Sequence, residues 1–260
     1  MLNFMVANRN DKNKRYRKES IETLLMAQVE NSLELGWEPE KVWILSNFEW
    51  EFMGVEAHRV DKLNDFCFTG SKMFGLERLL YLDDLKWDEP LWAHDLDAWQ
   101  NAYFDEPDFK DVGVANYSNR KMNGGSLFWR PTAGDIIEEV TSTLRSYKHE
   151  KEEPTLNKIL REKKYKGRIT VLDNTYNVGC SGFVVRLGRS EKPIRVCHFH
   201  PYNRLAWETH CLDRNQINEV AVTVRLERLL RKYYPFLSTK LVMTEEDKDF
   251  KRKKFKEYIR

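Results

Sequence analysis

The chain has 260 residues, 41% of them apolar and 32% charged, which supports one sizeable core or two small ones in a polar-leaning composition. No window approaches the roughly 18 uninterrupted apolar residues of a membrane span, and Met1–Ala7 has no basic segment ahead of its apolar run, so it reads as a first strand and not as a signal peptide. Net charge is only +2 but uneven: Lys248–Arg260 holds seven Lys/Arg against two Asp/Glu, and Arg9–Lys18 is a second basic stretch, so the body is no generic polyanion binder although both ends suit one.

Leu2–Ala7 is the first expected strand. Ile21, Leu24, Leu25 and Gln28-Val29 follow at helical spacing, and Leu35-Gly36 is the stop. Val42–Leu45 is a second strand. Met73–Tyr81 is helical in pattern, with Leu76, Leu79 and Leu80 on one side. Leu91-Trp92-Ala93 is a short apolar run that stops at His94-Asp95. Val112–Ala115 and Ser126–Trp129 are further strands, Ile136–Leu144 and Pro154–Leu160 helices, and Ile169–Leu172 and Ile194–Cys197 late strands. Ile217, Val220, Ala221 and Val224 form a helical face. Strands alternating with helices predict an α/β fold with a mixed, mostly parallel central sheet flanked by helices. No repeat or linker divides the chain, so residues 1–235 are expected to form one domain and residues 236–260 a tail. The four cysteines, Cys67, Cys180, Cys197 and Cys211, form no C-x-x-C pair, and reduced thiols in a cytoplasmic protein are the expectation.

In such sheets ligands sit beyond the carboxyl ends of the strands, which directs attention to the residues after each apolar run. Asp95-Leu96-Asp97 follows Leu91-Trp92-Ala93. Two carboxylates at i and i+2 on a turn leaving a strand can share one divalent cation, and hard oxygen ligands suit Mg²⁺ or Mn²⁺. With 41 acidic residues in the chain, a solvated turn is the competing reading. His198 and His200 follow the strand Ile194–Cys197. An imidazole there suits Mn²⁺, against a histidine that merely bonds within its loop. Cys197, His198, His200, His210 and Cys211 also raise a zinc site, but the usual ligand spacing is absent. Glu152 and Glu153 open a helix. A carboxylate there can stabilise an oxocarbenium-like sugar, or simply favour the helix dipole. Asn123-Gly124-Gly125 precedes a strand, and its glycines suit either a close ligand approach or a tight turn.

In this order the features resemble the GT-A fold glycosyltransferase superfamily, with the glycogenin-related and bacterial lipopolysaccharide-type enzymes as the nearest likeness, over roughly Leu2 to Trp207. The resemblance implies a nucleotide-sugar donor, usually a UDP-sugar, and Mn²⁺ or Mg²⁺ as cofactor. By position it implies Asp95 and Asp97 as the metal-binding D-x-D and His198 as the late metal ligand. It implies Asn8 and Arg9 in the nucleotide loop, Lys72 as the basic residue near phosphate or sugar, and Asn123, Gly124 and Gly125 along the donor sugar. Glu152, Glu153 and Asn157 fall on the acidic, Asn-ending motif of the transfer centre. Pro154 stands where a second acid is common, and the Gly and Lys-Pro-Trp that usually follow the late histidine are missing; the run is His200-Pro201-Tyr202-Asn203-Arg204, with Arg204 expected to supply the phosphate-binding cation instead.

Phe250, Phe255, Tyr258 and Ile259, ringed by Lys251, Arg252, Lys253, Lys254 and Lys256, make the tail a basic amphipathic helix suited to a membrane surface or polyanion, or else a frayed end. The expectation is therefore a metal-dependent hexosyltransferase, cytoplasmic or peripheral at the inner membrane face. Its acceptor would be a glycan, lipid-linked glycan or modified nucleic acid. The alternatives are a non-catalytic GT-A-like module that binds sugar or polyanion, and a nucleotidyltransferase of similar build.

Overall fold

Six apolar or amide residues at the start of the chain form strand β1 (Leu2–Ala7), which is buried on both faces, as a central parallel strand requires. The computed structural model describes residues 1–9, 18–61, 63, 71–82, 85–118, 121–147, 151–179, 183–201 and 221–235. Helix α1 (Lys18–Glu34) ends at Gly36, whose φ of +90° only glycine adopts freely. Strands β2 (Val42–Ser46), β3 (Glu51–Phe52) and β4 (Val55–Arg59) follow, then helix α2 (Ser71–Leu79). Next come β5 (Leu91–His94), β6 (Ala98–Gln100), β7 (Val112–Ser118) and β8 (Lys121–Trp129). Helices α3 (Gly134–Ser146) and α4 (Glu152–Ile159), strands β9 (Ile169–Leu172) and β10 (Val178–Gly179), helix α5 (Phe183–Arg189), strand β11 (Val196–His198) and helix α6 (Val224–Tyr233) complete the described elements.

The main sheet runs β3-β4-β2-β1-β5-β8-β7-β9, and a second sheet runs β10-β11-β6. The main sheet is mixed. β1 pairs in parallel with β2 and β5, β2 with β4, and β7 with β9, whereas β5–β8, β7–β8 and β3–β4 are antiparallel. Alternation along β1 sends Leu2 and Phe4 to one face, where they meet Met73 and Leu76 of α2 and a cluster that extends to Ile136 and Val140 of α3 and Leu156 of α4. Met5 and Ala7 go to the other face, with Ile21, Leu25 and Val29 of α1. The small sheet packs Trp99 and Cys197 against Leu24 and Ala27 of α1 and Leu226, Leu229 and Leu230 of α6.

Three sequence expectations shift. Asn123–Gly125 lie inside β8, not in a turn before it, because the antiparallel partner β7 carries the pairing back to Lys121. The late strand is Val196–His198, so His198 closes the strand instead of following it. The helical face expected over Ile217–Val224 is not continuous. Ala221 and Val222 are buried in a bend, Thr223 caps α6 through Leu226 N, and Val224 is 71% exposed. The reason is Asn101, whose side-chain amide donates to the Ala221 carbonyl at 2.7 Å and whose oxygen accepts from Thr223 N at 2.7 Å, fixing the chain in a non-helical entry. Ile217, Val220, Arg204 and the tail 236–260 lie outside the described residues.

Candidate functional site

The antiparallel ladder of β5 and β8 pairs His94 with Ser126, and Asp95 N continues it by donating to the Gly125 carbonyl at 2.9 Å. The chain then turns, with Ala98 N donating to the Asp95 carbonyl at 2.9 Å, and enters β6. β11 pairs with β6 so that His198 faces Ala98, and Phe199 N donates to the Asp97 carbonyl at 2.9 Å. The turn and the end of β11 therefore meet. His198 Nε2 lies 3.3 Å from Asp97 Oδ1 and 3.8 Å from Asp95 Oδ2. One ligand atom each from Asp95, Asp97 and His198 falls within 4.8 Å of the others.

The turn is gripped from beneath. Gln28 of α1 donates its amide to the carbonyls of Leu96 at 2.9 Å and Ala98 at 3.1 Å. His94 stacks on Trp92 at 3.9 Å, with Nε2 2.7 Å from Asn3 Oδ1 and Nδ1 3.0 Å from the Asp95 carbonyl. Burial holds its pKa down at about 3, so the ring is neutral at ordinary pH. Burial alone would push Asp97 up, but the adjacent His198 outweighs it and leaves the carboxyl at about 2. Burial likewise opposes a charge on His198, and Asp97 reverses that, so its pKa is raised.

On the far side of Asp95 lies Lys72 of α2, which is buried. Its ammonium donates to Asp95 Oδ1 at 2.6 Å and to the Gly124 carbonyl, and stands 3.8 Å from Glu152 Oε1. Desolvation works against this charge, but Asp95 and then Glu152 overcome it and keep its pKa above the lysine norm. Glu152 is 4% exposed, and its Oε1 has no hydrogen-bond partner. Burial lifts its pKa to about 8 despite Lys72. Glu153, one residue on, accepts from Asn123 Nδ2 at 2.9 Å. Asn157, one turn further along α4, clamps the helix to β8. Its oxygen accepts from Met122 N at 2.8 Å, and its amide donates to the carbonyls of Met122 at 2.7 Å and Glu153 at 2.8 Å.

The structure thus gathers Asp95, Asp97, His198, Lys72, Glu152, Glu153, Asn123, Gly124 and Gly125 at one place. The glycines meet protein atoms there: a Cβ on Gly125 would collide with the His198 imidazole, and one on Gly124 would come within 3.3 Å of Glu152 Oε1. Asn8 and Arg9 leave the carboxyl end of β1. Asn8 donates to Ser71 Oγ at 3.0 Å, beside Lys72, and the Arg9 backbone exchanges two hydrogen bonds with the side chain of Asn47. Sequence reasoning overlooked Gln28, Asn3 and Asn177. Gln28 had a signal, a polar residue within an apolar helical stripe. Asn177 had none, because β10 beside it is two residues long. It is 1% exposed and lies 3.1 Å from His198 Nδ1 through its Oδ1.

Two carboxylates and one imidazole are a donor set that Mn²⁺ or Mg²⁺ accepts, so the residues fit the divalent cation expected from sequence. Among the described residues this is the only such cluster. Cys197 and His200 do not join it, and His210 and Cys211 lie outside those residues.

No family model and no curated protein matches the chain. Solved structures do. A galactosyltransferase, LgtC, determined with donor and acceptor sugar analogs, shares 12% identity over 94% of this chain and 98% of its own, at a TM-score of 0.56. The glycosyltransferase GlyE of Streptococcus pneumoniae TIGR4 shares 13% identity over 90% of this chain and 64% of its own, at 0.52. A glycosyltransferase involved in glycosylating the major capsid of PBCV-1 shares 12% over 76% of this chain and 93% of its own, at 0.50. The chain has the GT-A glycosyltransferase fold. No described helix is long and apolar enough to cross a membrane.

Proposed function

We propose that the chain transfers a hexose from a nucleotide-diphosphate sugar, a UDP-sugar in the first instance, to an acceptor hydroxyl, with Mn²⁺ or Mg²⁺ held by Asp95, Asp97 and His198. The observation that carries this reading is the convergence of those three side chains, with ligand atoms within 4.8 Å, on the carboxyl edge of a GT-A sheet. A bound divalent cation supplies positive charge to the departing diphosphate.

The protein's own groups do the rest. Lys72 adds a fixed, buried cation beside Asp95. Having its charge already desolvated and paired, it pays no reorganisation cost when negative charge develops nearby. Glu153 offers a carboxylate to an oxocarbenium-like carbon, held in place by Asn123. Glu152, whose carboxyl burial lifts to about 8 despite Lys72, has an O–H to donate to a sugar hydroxyl when protonated. Asn8 and Arg9 flank the nucleotide, and the tail 236–260 contacts a membrane surface or polyanion.

The test is Asp97→Asn. Mn²⁺-dependent hydrolysis or transfer of a UDP-sugar is expected to fall by at least 10²-fold, the scale on which losing one electrostatic group acts on turnover. Undiminished turnover in that variant refutes the metal assignment. A thermal-shift panel of UDP-, GDP-, CMP- and dTDP-sugars with Mn²⁺ identifies the donor, because a ligand that binds only the folded state raises its stability.

A further inference from the structure

Beneath the three ligand side chains runs a row of amides. His198 Nδ1 faces Asn177 Oδ1 at 3.1 Å, Asn177 Nδ2 faces Asn123 Oδ1 at 3.0 Å, and Asn123 Nδ2 faces Glu153 Oε2 at 2.9 Å. An amide can in principle point either way. Here the direction is pinned at one end by two groups that leave no choice. Gly125 N–H can only donate, and it points at Asn123 Oδ1 at 2.8 Å. The Glu153 carboxylate accepts, and it receives Asn123 Nδ2. Turning Asn123 over would set its NH₂ against Gly125 N–H and its oxygen against a carboxylate. With Asn123 fixed, Asn177 must offer its NH₂, which also lies 3.4 Å from the Asn123 carbonyl. Its oxygen is then left for His198, and that oxygen accepts only from an Nδ1–H.

We infer that Asn177 is a positioning residue which, anchored by Asn123, Gly125 and Glu153, holds a proton on His198 Nδ1, so that Nε2, the nitrogen facing Asp95 and Asp97, is the one that gives up its proton to take a metal. The inference rests on reading those three residues as a metal centre. A histidine binds a metal through a nitrogen without a proton, and the hydrogen bond at the other nitrogen sets which one that is. The same row joins the metal-facing histidine to Glu153, so the two parts of the site keep a common register. Asn177 reaches this place because β10 begins at the next residue, and Val178 and Gly179 pair in parallel with Cys197 and His198.

The experiment uses the full chain labelled with ¹⁵N-histidine. In the metal-free wild type, His198 should show an Nδ1–H proton in slow exchange with water. Asn177→Leu should lose that signal, and Asn177→Asp, which keeps an acceptor toward His198, should retain it. In parallel, Mn²⁺ titration should give a dissociation constant weakened ~10–100-fold in Asn177→Leu, the usual size of an outer-shell loss, with part of that loss recovered in Asn177→Asp. A wild type without the protected Nδ1–H overturns the inference whatever its metal affinity. So does a folded Asn177→Leu variant that binds Mn²⁺ like the wild type. Failure of the wild type itself to bind Mn²⁺ counts instead against the proposed function, since the Nδ1–H signal is read without metal.

Discussion

Replacing Gly125 by alanine adds one methyl group where the His198 ring already sits. The new Cβ would overlap Cε1 and Nδ1 of the imidazole, with Asn123 Oδ1 at 2.8 Å. Gly125 does not have a φ in the left-handed region, so the cost is contact and not backbone strain. The ring meets Asn177 through Nδ1 and Asp97 through Nε2, and it cannot swing aside without losing both contacts. Overpacking of this kind costs about 1–3 kcal/mol. At about 2–4 °C per kcal/mol for a chain near this size, the melting temperature should fall by roughly 2–12 °C. Mn²⁺ affinity should fall with it, because the displaced ring is the one that carries Nε2. Gly124→Ala is the control. Its nearest neighbour is the tip of Glu152 at 3.3 Å, which can give by a few tenths of an ångström, and the lower entropy of the unfolded alanine chain returns ~0.4–1 kcal/mol. That variant should melt close to the wild type. Thermal melts of Gly125→Ala, His198→Ala and the double variant form a cycle that isolates the contact. Most of the Gly125→Ala cost should vanish once the imidazole is gone. If the cost persists in full, or if Gly125→Ala melts and binds Mn²⁺ like the wild type, the packing argument is wrong.

Glu152→Gln should change how stability depends on pH. The folded protein keeps the Glu152 proton up to about 8, whereas an unfolded glutamate releases it near 4.5. The folded state therefore binds more protons between those values, and stability falls as pH rises through that window. Glutamine exchanges no proton, so its melting temperature should match the wild-type trend below the window and rise relative to the wild type across it. Parallel curves would show that Glu152 ionises freely. Asn157→Leu should cost ~1–3 kcal/mol in urea unfolding, because Met122 N–H and C=O lose their partner at the junction of α4 and β8. Turnover of the donor should fall as well, since Glu152 and Glu153 sit on the helix that this clamp holds. An unfolding midpoint equal to the wild type's would mean that other groups or water replace it.

The local order of the chain was legible from its residues. Leu2–Ala7 and Val42–Leu45 are apolar runs bounded by polar turns. Ile136–Leu144 shows a helical stripe, and Gly36 marks the end of α1. Each signal is local because it records which face of one element meets the core. Asp95 and Asp97 were visible for the same reason, as near neighbours at the end of a strand. No local signal joined them to His198, about a hundred residues on, or to Lys72 of α2 and Glu152 of α4; only the resemblance to the GT-A superfamily placed those residues in the same site. Those approaches depend on strand order and register. β8 inserts antiparallel beside β5 and brings Gly125 next to Asp95, and β11 pairs with β6 and sets His198 over Gly125. The sequence by itself determined which residue types were present and which elements carried them. Only the tertiary structure decided that a side chain at Gly125 would meet His198, that burial lifts the Glu152 carboxyl to about 8, and that Asn177 faces the imidazole. The physical reason is that burial, hydrogen-bond direction and close contact belong to pairs of residues, and the pairing of distant strands is set by the whole sheet and not by any segment of it.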